Sequence, residues 1–456
     1  MHLKNKIKVT VYIPCYNYGN YLSRAIESVL KQTFEDWELL IFDDNSEDNT
    51  QEVISKYKHF PSVRAFKTKR IGLCKIANLA IKESRGDFLI RLDADDIFNE
   101  NILEILVNYF NKKKDLALIF PDYYLINESG EIFSEIKRSQ LNQKDNSINQ
   151  PPNGACMMIR KKVLKEIGGY REDLGAQDGF DVWSRIFPKY KTFNVNLPLF
   201  YYRRHMNNMT NSPRRIIDAR RAIKRDVARE KLKRISPIIC VIPCRKYFDF
   251  TKQLWKKIIG NKSLLEIVLE SCLNANIFDE IIVASDDKKT KLVLDKFKNE
   301  KVSFFLRDTK ETIRNSDLSL CLNNIMKLKN VEYSGLTFIK YLQTPFLDTE
   351  TIKEALHTMV INEVDCTVGV EEITDQLYKR TSFGLEPINK LKDISTNYDY
   401  VYRETLTCCL IKNKNLINGN LYGYNILNYI IPSAECFKVE SFHDLEVANI
   451  MYKKIS

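Results

Sequence analysis

The stretch VYIPCYNYGN, residues 11–20, runs a short apolar strand into Ile-Pro-Cys and then into a polar loop, and VIPCRKYF, residues 241–248, begins in the same way. Internal repeats indicate duplicated units, but the residues after these two loops differ. A chain of 456 residues is long enough for two domains that each bury a core. We therefore predict two separate domains that share one local geometry.

Strand and helix patterns alternate through the first half of the chain. Apolar runs predict strands at 8–13, 37–42, 62–67, 87–92 and 116–120, with amphipathic helices near 20–31, 48–58, 72–84 and 100–113. This order is typical of a parallel, doubly wound sheet, whose ligands bind beyond the carboxyl ends of the strands. Because the second half alternates in the same way, we predict the α/β class with two Rossmann-like doubly wound domains. They span 1–212 and 237–456, joined by a basic helix over 213–236.

The predicted basic helix carries much of the charge. Residues 213–234 hold ten Lys and Arg and three Asp and Glu, which is +7 of the net charge of +11. Its apolar residues recur at helical intervals between Pro213 and Pro237. A solvated face and attraction to anionic lipid headgroups or a lipid diphosphate are alternative interpretations. Nucleic acid is not favoured as a partner, because no nucleic-acid-binding motif accompanies the charge.

Composition indicates a globular protein of a reducing compartment. Hydrophobic residues make up 44% and charged residues 28% of the chain, which argues against disorder. The eleven cysteines form no C-x-x-C pair and have no His at zinc-ligand spacing, as is typical of buried thiols. The sequence has no apolar signal segment and no run of about eighteen apolar residues. We expect a cytoplasmic protein, with at most peripheral contact to the inner face of an anionic membrane.

Acidic residues cluster where predicted strands end. Asp43 and Asp44 follow the second strand, and Asp93, Asp95 and Asp96 follow the fourth. A single Asp at a strand end is usually a turn or cap, but two neighbouring clusters concentrate charge that is costly unless a cation neutralises it. Carboxylate oxygens select Mg²⁺ or Mn²⁺, which complete their shell with substrate phosphates. The sequence therefore predicts a Mg²⁺ or Mn²⁺ cofactor and a nucleoside diphosphate ligand.

The loop after the first strand offers partners for a nucleobase. Pro14, Tyr16 and Asn17 lie there. The ring of Tyr16 can stack on a base, while Asp44 accepts a hydrogen bond from the imide N–H of that base.

Four motifs carry a resemblance to a known family. They are VYIPCYNYGNYLSRAIESVLKQTFEDWELLIFDDNSEDNT (11–50), IGLCKIANLAIKESRGDFLIRLDADD (71–96), GGYREDLGAQDGFDVWSRI (168–186) and YYRRH (201–205). Over about residues 7–212 the chain resembles the family 2 glycosyltransferases of the GT-A fold. The resemblance implies an inverting transfer of a sugar from a nucleotide-sugar, most simply a UDP-sugar. It implies that Asp93 and Asp95 hold the metal and diphosphate, and that Tyr16 and Asp44 hold the base.

The resemblance also implies a general base. Asp178 matches that position, and a carboxylate suits it, because the acceptor hydroxyl must lose a proton as its oxygen attacks the anomeric carbon. Gln177 stands where the family usually has Glu, and Gly179 adds a residue, so Asp181 is a rival for the base. The remaining residues implied to contact the donor or close the site are Pro14, Asn17, Asp43, Asp96, Lys75, Asn78, Arg204 and His205.

The second half resembles a different family. IICVIPCRKYFDFTKQL (238–254), GNKSLLEIVLESCLNANIFDEIIVASDD (260–287), YLQTPFLDTETIKEAL (341–356) and DCTVGVEEI (365–373) are similar to the cytidylyltransferases that activate acylneuraminate and 3-deoxy-octulosonate, over about 237–455. In that family a Gly-rich loop cradles the CTP phosphates. Arg245 and Lys252 match its cations, whereas its glycines are missing. Lys438 and Glu440 stand where two metal-ligand Asp residues are expected.

Three functional interpretations remain open. The first is a glycosyltransferase with a degenerate second domain, acting on a glycan or lipid-linked acceptor. The second is a bifunctional enzyme that also makes a CMP-activated acidic sugar. The third is a non-catalytic scaffold that binds nucleotide-sugars, which the acidic motif and Asp178 argue against.

Overall fold

The computed structural model describes residues 7–137, 152–206, 208, 213–312, 318–373, 375–388, 401–417 and 419–455. The chain divides into two compact units, of which the first extends to Ile223 and the second begins at Lys224. Each unit contains a largely parallel sheet flanked by helices. The predicted class of two α/β domains is therefore confirmed.

The first unit is built on a mixed sheet in the order β3-β2-β1-β4-β8-β6-β9-β5, with β7 paired to β6. Its strands are β1 Val9–Cys15, β2 Trp37–Asp43, β3 Val63–Lys67, β4 Phe88–Arg91, β5 Ile97–Phe98, β6 Leu116–Ile126, β7 Ile132–Ile136, β8 Met158–Arg160 and β9 Lys191–Arg203. Strands β1 to β4 are parallel, with Cys15 opposite Asp43 and Tyr12 opposite Arg91. Their carboxyl ends therefore meet at one edge of the sheet.

Among the described residues of the first unit before α7, six helices pack on this sheet. They are α1 Gly19–Leu30, α2 Thr50–Tyr57, α3 Leu73–Glu83, α4 Ile102–Lys112, α5 Lys161–Glu166 and α6 Asp178–Ile186. The apolar sides of α1 and α4 join the inward residues of β1, β2 and β4 in one core, which is why the period of 3.6 residues was readable in the sequence. The predicted elements up to Lys112 match those of the structure within a few residues.

Beyond β4 the sheet departs from the predicted parallel order. Strand β8 is antiparallel to both β4 and β6, while β6 and β9 are parallel to each other. Antiparallel neighbours need no crossover helix, so the alternation of strand and helix that signals a parallel sheet stops there. The strand predicted at 116–120 also continues to Ile126.

The second unit has its own sheet, in the order β14-β13-β10-β15-β19-β16-β20. The strands of this unit are β10 Ile238–Cys244, β11 Ile258–Ile259, β12 Lys262–Ser263, β13 Glu280–Ser285, β14 Val302–Leu306, β15 Leu336–Lys340, β16 Cys366–Ile373, β17 Tyr378–Thr381, β18 Gly384–Pro387, β19 Val401–Lys412 and β20 Ile426–Ile430. Its helices are α8 Leu264–Ala275, α9 Lys291–Phe297, α10 Leu318–Lys329, α11 Thr349–Asn362, α12 Lys414–Ile417 and α13 Phe442–Ile455. Strand β10 lies between β13 and β15, parallel to both, as β1 does between β2 and β4.

The basic segment forms helix α7, Pro213–Leu232. It has one buried side, with Ala219, Ile223 and Ala228, and an exposed side that includes Arg214 and Arg215. The division between the two units falls inside this helix. Its role as a linker stays a prediction.

Two further expectations concern the whole chain. Ten of the eleven cysteines are buried, as the sequence predicts. Among the helices of the described ranges, none combines the length and apolar character needed to cross a membrane.

Candidate active site

Asp44 ties the end of β2 to the loop before α3. Its backbone N–H donates to Cys15 O at 2.8 Å, which places it beside the end of β1. Its Oδ1 accepts hydrogen bonds from Thr68 Oγ1 at 2.6 Å and Ile71 N at 2.7 Å, and its Oδ2 accepts one from Gly72 N at 2.8 Å. Oδ2 therefore retains a lone pair for a ligand, at the position predicted for a nucleobase.

Hydrogen bonds connect the loop after β1 to the loop after β2. Asn17 has φ 58°; its N–H donates to Ser46 Oγ at 3.0 Å, and its Oδ1 accepts from Glu47 N at 2.8 Å. Asp43 is fully buried and accepts from Ser46 N at 2.8 Å. Pro14 is half-buried within β1. Of these three predicted residues only Asn17 is exposed; the others frame the edge.

One face of the Tyr16 ring is covered by a residue that the sequence did not single out. The guanidinium carbon of Arg70 lies 2.9 Å from the ring centroid, and Arg70 has φ 55°, a left-handed conformation. A cation stacked on an aromatic ring is favourable, and it leaves the opposite face of Tyr16 for a base. The only signal for Arg70 in the sequence is its place before the Ile-Gly that leads into α3.

The three acidic residues after β4 have different surroundings. Asp93 keeps 31% of its side chain exposed and Asp95 keeps 12%. Asp96 is 1% exposed, and its Oδ1 accepts from the backbone N–H of Arg203 at 2.8 Å. The structure thus presents Asp93 and Asp95 near the surface and uses Asp96 to anchor β9.

Crowding of these carboxylates affects their titration. Burial raises the pKa of Asp93 to about 6, with Arg91 opposing the shift and Asp95 adding to it. Burial also raises the pKa of Asp96, reinforced by Asp95 and Asp93. Neighbouring carboxylates that resist ionisation together favour a bound cation. Within the described residues no three His, Cys, Asp or Glu side chains are grouped so as to hold a metal ion.

His205 belongs to the same acidic cluster. Its Nε2 lies 2.9 Å from Asp95 Oδ2, and Asn208 Nδ2 donates to the same oxygen at 3.4 Å. The imidazole stacks on Tyr21 with ring centroids 5.3 Å apart. Arg204 is exposed beside it. Sequence reasoning named His205 and Arg204 but not the aromatic support or Asn208.

The guanidinium of Arg91 connects the acidic cluster with helix α6. Its side chain is 7% exposed; Nε lies 3.0 Å from Asp93 Oδ1, and Nη1 donates to Asp178 Oδ2. Burial alone would lower the pKa of Arg91, but the carboxylates of Asp178 and Asp93 raise it well above its usual value. One cation therefore holds together the residues predicted for the metal and for the base. The sequence shows Arg91 only as the residue before Leu-Asp.

The two candidates for the base lie in different ion clusters. Asp178 begins α6 after Gln177, which has φ 61°, and joins Arg91. Asp181 is 2% exposed; Arg185 donates to its Oδ2, and Arg171 Nη1 lies 3.8 Å from its Oδ1. Burial raises the pKa of Asp181, and Arg185 and Arg171 oppose that shift. Only Asp178 is brought into contact with the acidic cluster.

The two predicted residues of α3, Lys75 and Asn78, differ in their accessibility to a ligand. Lys75 is exposed. Asn78 donates from Nδ2 to Tyr170 O and to Glu172 Oε1, both at 2.9 Å, and accepts from Tyr170 N at 2.8 Å. Lys75 is thus accessible to an anionic ligand, whereas Asn78 holds the segment that leads to α6.

The first part of helix α7 lies beside the loop before α6. Arg220 Nε donates to Gln177 Oε1 at 3.0 Å. A Cβ on Gly175 would lie 3.4 Å from Arg215 Nε. The basic side of α7 therefore borders the segment that positions Asp178.

In the second unit the loop after β10 folds back on itself. Phe248 N donates to Thr251 O at 2.9 Å, Thr251 N to Phe248 O at 3.3 Å, and Gln253 N to Lys246 O at 2.6 Å. These backbone N–H groups are used inside the loop. They are not free to cradle phosphate as the amides of a Gly-rich loop do.

The two predicted cations of this unit rest on aromatic rings. The Arg245 guanidinium carbon lies 4.7 Å from the Phe248 centroid, and Lys252 Nζ lies 5.1 Å from the Tyr247 centroid. A cavity of about 410 Å³ adjoins the loop. It is lined by Arg245, Lys246, Tyr247, Phe248, Asp249, Asp286, Thr309 and Thr312. The structure places Arg245 at this cavity, but Lys252 is not among its lining residues.

In the second unit Lys438 and Glu440 occupy the positions where two metal-ligand Asp residues are expected. Lys438 is half-buried and Glu440 is exposed. Between them, Val439 N donates to Gln343 O at 2.8 Å, and Glu440 N donates to Asp444 Oδ2 at 2.9 Å. The segment 438–440 thus lies beside the LQTP stretch, residues 342–345, but lacks the expected pair of Asp side chains.

Comparison with known proteins finds two family models. The model described as Glycosyl transferase family 2 matches residues 10–168, and the model described as Cytidylyltransferase matches residues 252–418. Both resemblances predicted from the sequence are therefore confirmed over these ranges.

Curated relatives match over different lengths. A chondroitin synthase of Pasteurella multocida (strain Pm70) is 25% identical over 423 residues, which cover 90% of this chain and 40% of that protein. An "Uncharacterized glycosyltransferase" of Rickettsia felis is 33% identical over 187 residues, 39% of this chain and 31% of that protein. The chain thus spans less than half the length of these relatives.

Solved structures match more loosely. The crystal structure of S. aureus TarS 1-349 in complex with UDP-GlcNAc has a TM-score of 0.43 and 21% identity, covering 49% of this chain and 66% of that one. This likeness is too loose to bear on the ligand of the present chain.

Proposed function

We propose that the chain is an inverting glycosyltransferase whose first unit transfers a sugar from a nucleotide-sugar, most simply a UDP-sugar. The observation that carries the proposal is the cluster Asp93, Arg91 and Asp178 at the carboxyl edge of β1 to β4. Asp93 belongs to the acidic pair Asp93 and Asp95, which suits a metal and diphosphate. The cluster places this pair next to Asp178, a carboxylate that suits a general base. The family 2 match over 10–168 supports the same class of reaction.

Mg²⁺ or Mn²⁺ fits the donor set at Asp93 and Asp95. Two partly exposed carboxylates at an open sheet edge suit a cation that takes its remaining ligands from water and substrate phosphates. His205 contacts Asp95 and orients it. When bound, the cation stabilises the negative charge of the leaving diphosphate.

Asp178 acts as the general base in this proposal. It takes the proton of the acceptor hydroxyl as that oxygen bonds to the anomeric carbon, while the bond from this carbon to the diphosphate oxygen breaks on the opposite face. The nucleoside diphosphate leaves, and the configuration is inverted. Asp181 is less suited to this role, because Arg185 and Arg171 already occupy its two oxygens.

The other predicted residues fall into two groups. Six are proposed to contact the donor: Tyr16, Asn17 and Asp44 at the nucleoside, and Lys75, Arg204 and His205 at the diphosphate. Of these, Asp44 and the side chain of His205 are buried. Those engaged in internal hydrogen bonds or in the sheet are proposed to hold the site in shape: Pro14, Asp43, Asn78 and Asp96.

We propose a glycan or lipid-linked acceptor. The exposed Arg215 of α7 borders the loop before Asp178, and the exposed Arg214 precedes it on the same helix; cations there would attract an anionic acceptor or an anionic membrane surface. Nucleic acid is not proposed as a partner.

For the second unit we propose a binding or structural role. The closed loop after β10 and the Lys438 substitution support a degenerate site. The cytidylyltransferase match over 252–418 favours one alternative, a bifunctional enzyme that also makes a CMP-activated acidic sugar. A non-catalytic scaffold that binds nucleotide-sugars is the third alternative.

The test is a screen of the full chain with a panel of UDP-sugars and Mn²⁺, measuring released UDP with and without oligosaccharide acceptors. We expect release with at least one donor, its loss in EDTA, and its loss in the Asp95→Ala variant. Release that is unchanged by Asp95→Ala would refute the assigned site. No release with any nucleotide-sugar would favour the scaffold alternative.

A further inference from the structure

Arg91 contacts both carboxylates on which the proposed function depends. Its Nη1 donates a hydrogen bond to Asp178 Oδ2, and its Nε forms an ion pair with Asp93 Oδ1 at 3.0 Å without a hydrogen bond. In the described part of the chain, no hydrogen bond is made to the other oxygen of either carboxylate. Each carboxylate therefore keeps one oxygen for a ligand.

The guanidinium occupies a closely packed place. It lies at the end of β4 with 7% of the side chain exposed. A Cβ on Gly154 would lie 2.9 Å from Arg91 Nη2, and a Cβ on Gly179 would lie 2.8 Å from Gly154 Cα. The two glycines allow the start of α6 to approach the guanidinium this closely. In so dense a contact the guanidinium has little room to take another position.

We propose that Arg91 is a positioning residue for the reaction proposed above. It holds Asp93 and Asp178 by one oxygen each, so that Asp93 Oδ2 is presented to the metal and Asp178 Oδ1 to the acceptor hydroxyl. The inference rests on the proposed function, because it presupposes these two roles. A planar guanidinium can bridge two carboxylates, whereas the ammonium of lysine cannot reproduce that fork.

The test compares Arg91→Lys with Arg160→Lys, a matched exchange on the neighbouring strand β8. Arg160 donates from Nε to Leu116 O at 2.6 Å and stacks near Phe88 and Phe110, without contact to the acidic cluster. Mn²⁺ binding is followed by electron paramagnetic resonance, turnover by release of UDP, and folding by thermal denaturation. Asp178→Asn and the double variant R91K/D178N complete a cycle.

We expect R91K to weaken Mn²⁺ binding about tenfold, as loss of a partner that orients a metal ligand typically does, and R160K to leave it unchanged. R91K should lower kcat about tenfold or more in the wild-type background, with the full contribution of a general base, about 10²–10⁴-fold, as the upper limit. At saturating Mn²⁺, R91K should change kcat little in the D178N background, because the base it positions is already lost. A residue that only supported folding would lower the melting temperature without this pattern.

Unchanged Mn²⁺ binding in R91K, or an equal loss of kcat in both backgrounds, would overturn the proposal, since it requires both effects. If wild-type protein transfers no sugar, the proposed function fails, while Mn²⁺ binding still decides the link between Arg91 and Asp93. Should R91K not fold, R91Q/D178N removes one buried charge of each sign. That variant must then bind Mn²⁺ more weakly than D178N alone, and equal binding would refute the proposal.

Discussion

The two sheets end their first strands with the same Ile-Pro-Cys and differ in where the next N–H groups donate. In the first unit Asn17 N donates to Ser46 Oγ and Gly19 N to Asp48 Oδ2, both on the neighbouring loop. In the second unit Lys246 N also donates to a neighbouring loop, at Asp286 Oδ1, but Phe248 N, Thr251 N and Gln253 N donate to carbonyls of their own loop. The second loop thus adds hydrogen bonds within itself to the kind of bond between loops that both units make.

The strands next to these differ as well. Arg91 ends β4, the parallel neighbour of β1, and faces Asp93 and Asp178. Lys340 ends β15, the parallel neighbour of β10, and donates to Thr344 Oγ1 at 2.8 Å and Tyr341 O at 3.2 Å. Burial lowers the pKa of Lys340. A shared strand geometry thus supports a cation among carboxylates in one unit and a cation among neutral oxygens in the other.

The largest effect that this comparison predicts is that the second unit does not catalyse cytidylyl transfer. The full chain, incubated with CTP, Mg²⁺ and nonulosonic or octulosonic acids, should release no pyrophosphate above background. Transfer needs phosphate charge neutralised by amides and a metal, and in the loop after β10 the N–H groups of Phe248, Thr251 and Gln253 are already bonded internally. Robust release of pyrophosphate with any of these acids would contradict this difference between the two units and favour the bifunctional enzyme.

The next effect concerns the base in the first unit. Asp178→Asn should lower turnover by about 10²–10⁴-fold, the usual share of a general base, while UDP affinity stays near that of the wild type. Asp181→Asn should chiefly lower the melting temperature, because it breaks an ion cluster with Arg185 and Arg171. Steady-state kinetics with calorimetry of UDP separates the two. The reverse pattern would make Asp181 the base.

A smaller effect is expected at helix α7. Replacing Arg214, Arg215 and Arg221 by Gln should release the protein from anionic vesicles, since each basic residue near such a surface contributes about 1 kcal/mol. Arg220→Gln should instead disturb turnover, because its Nε donates to Gln177 beside Asp178. Flotation with phosphatidylserine vesicles at low salt measures the first effect. Unchanged binding of the triple variant would leave α7 as a solvated face.

The smallest predicted effect is a loss of stability of the second unit as the pH falls. Burial lowers the pKa of His357 on α11 to about 4, below the value near 6.5 of an unfolded histidine. The unfolded chain then binds a proton that the folded unit does not, so stability should fall as pH drops from about 6.5 towards 4, by about 1–3 kcal/mol. Urea titrations at pH 7 and pH 5 should show this loss in wild type and less of it in His357→Gln. Exchange of the exposed His443 is the control, and an identical pH response in H357Q would contradict the assignment.

Much of the fold was predictable because it depends on local apolar patterns. Helices α1 to α4 each bury one side, while strands β1, β2 and β4 are buried along nearly their whole length, and both patterns are written in the sequence. The antiparallel β8 is three residues long, too short for a periodic signal. Its pairing with β4 and β6 depends on contacts distant in the chain.

The candidate site was predictable in its carboxylates but not in their partners. Asp93, Asp95 and Asp178 fall in recognisable motifs, whereas the ion pair of Arg91 with Asp178 joins residues 87 positions apart. The stacking of Arg70 on Tyr16 likewise depends on a left-handed backbone at a non-glycine residue. The closed loop of the second unit was visible in the sequence only as missing glycines.

The most direct test of the account is a calorimetric titration of the full chain with UDP, in Mn²⁺ and again in EDTA. We predict one site in Mn²⁺, because Asp93 and Asp95 cannot approach diphosphate oxygens without a cation between them, and no detectable binding in EDTA or in Asp95→Ala. Equal UDP affinity in Mn²⁺ and EDTA, or undiminished binding in Asp95→Ala, would contradict the claim that the acidic edge of the first unit is the nucleotide site.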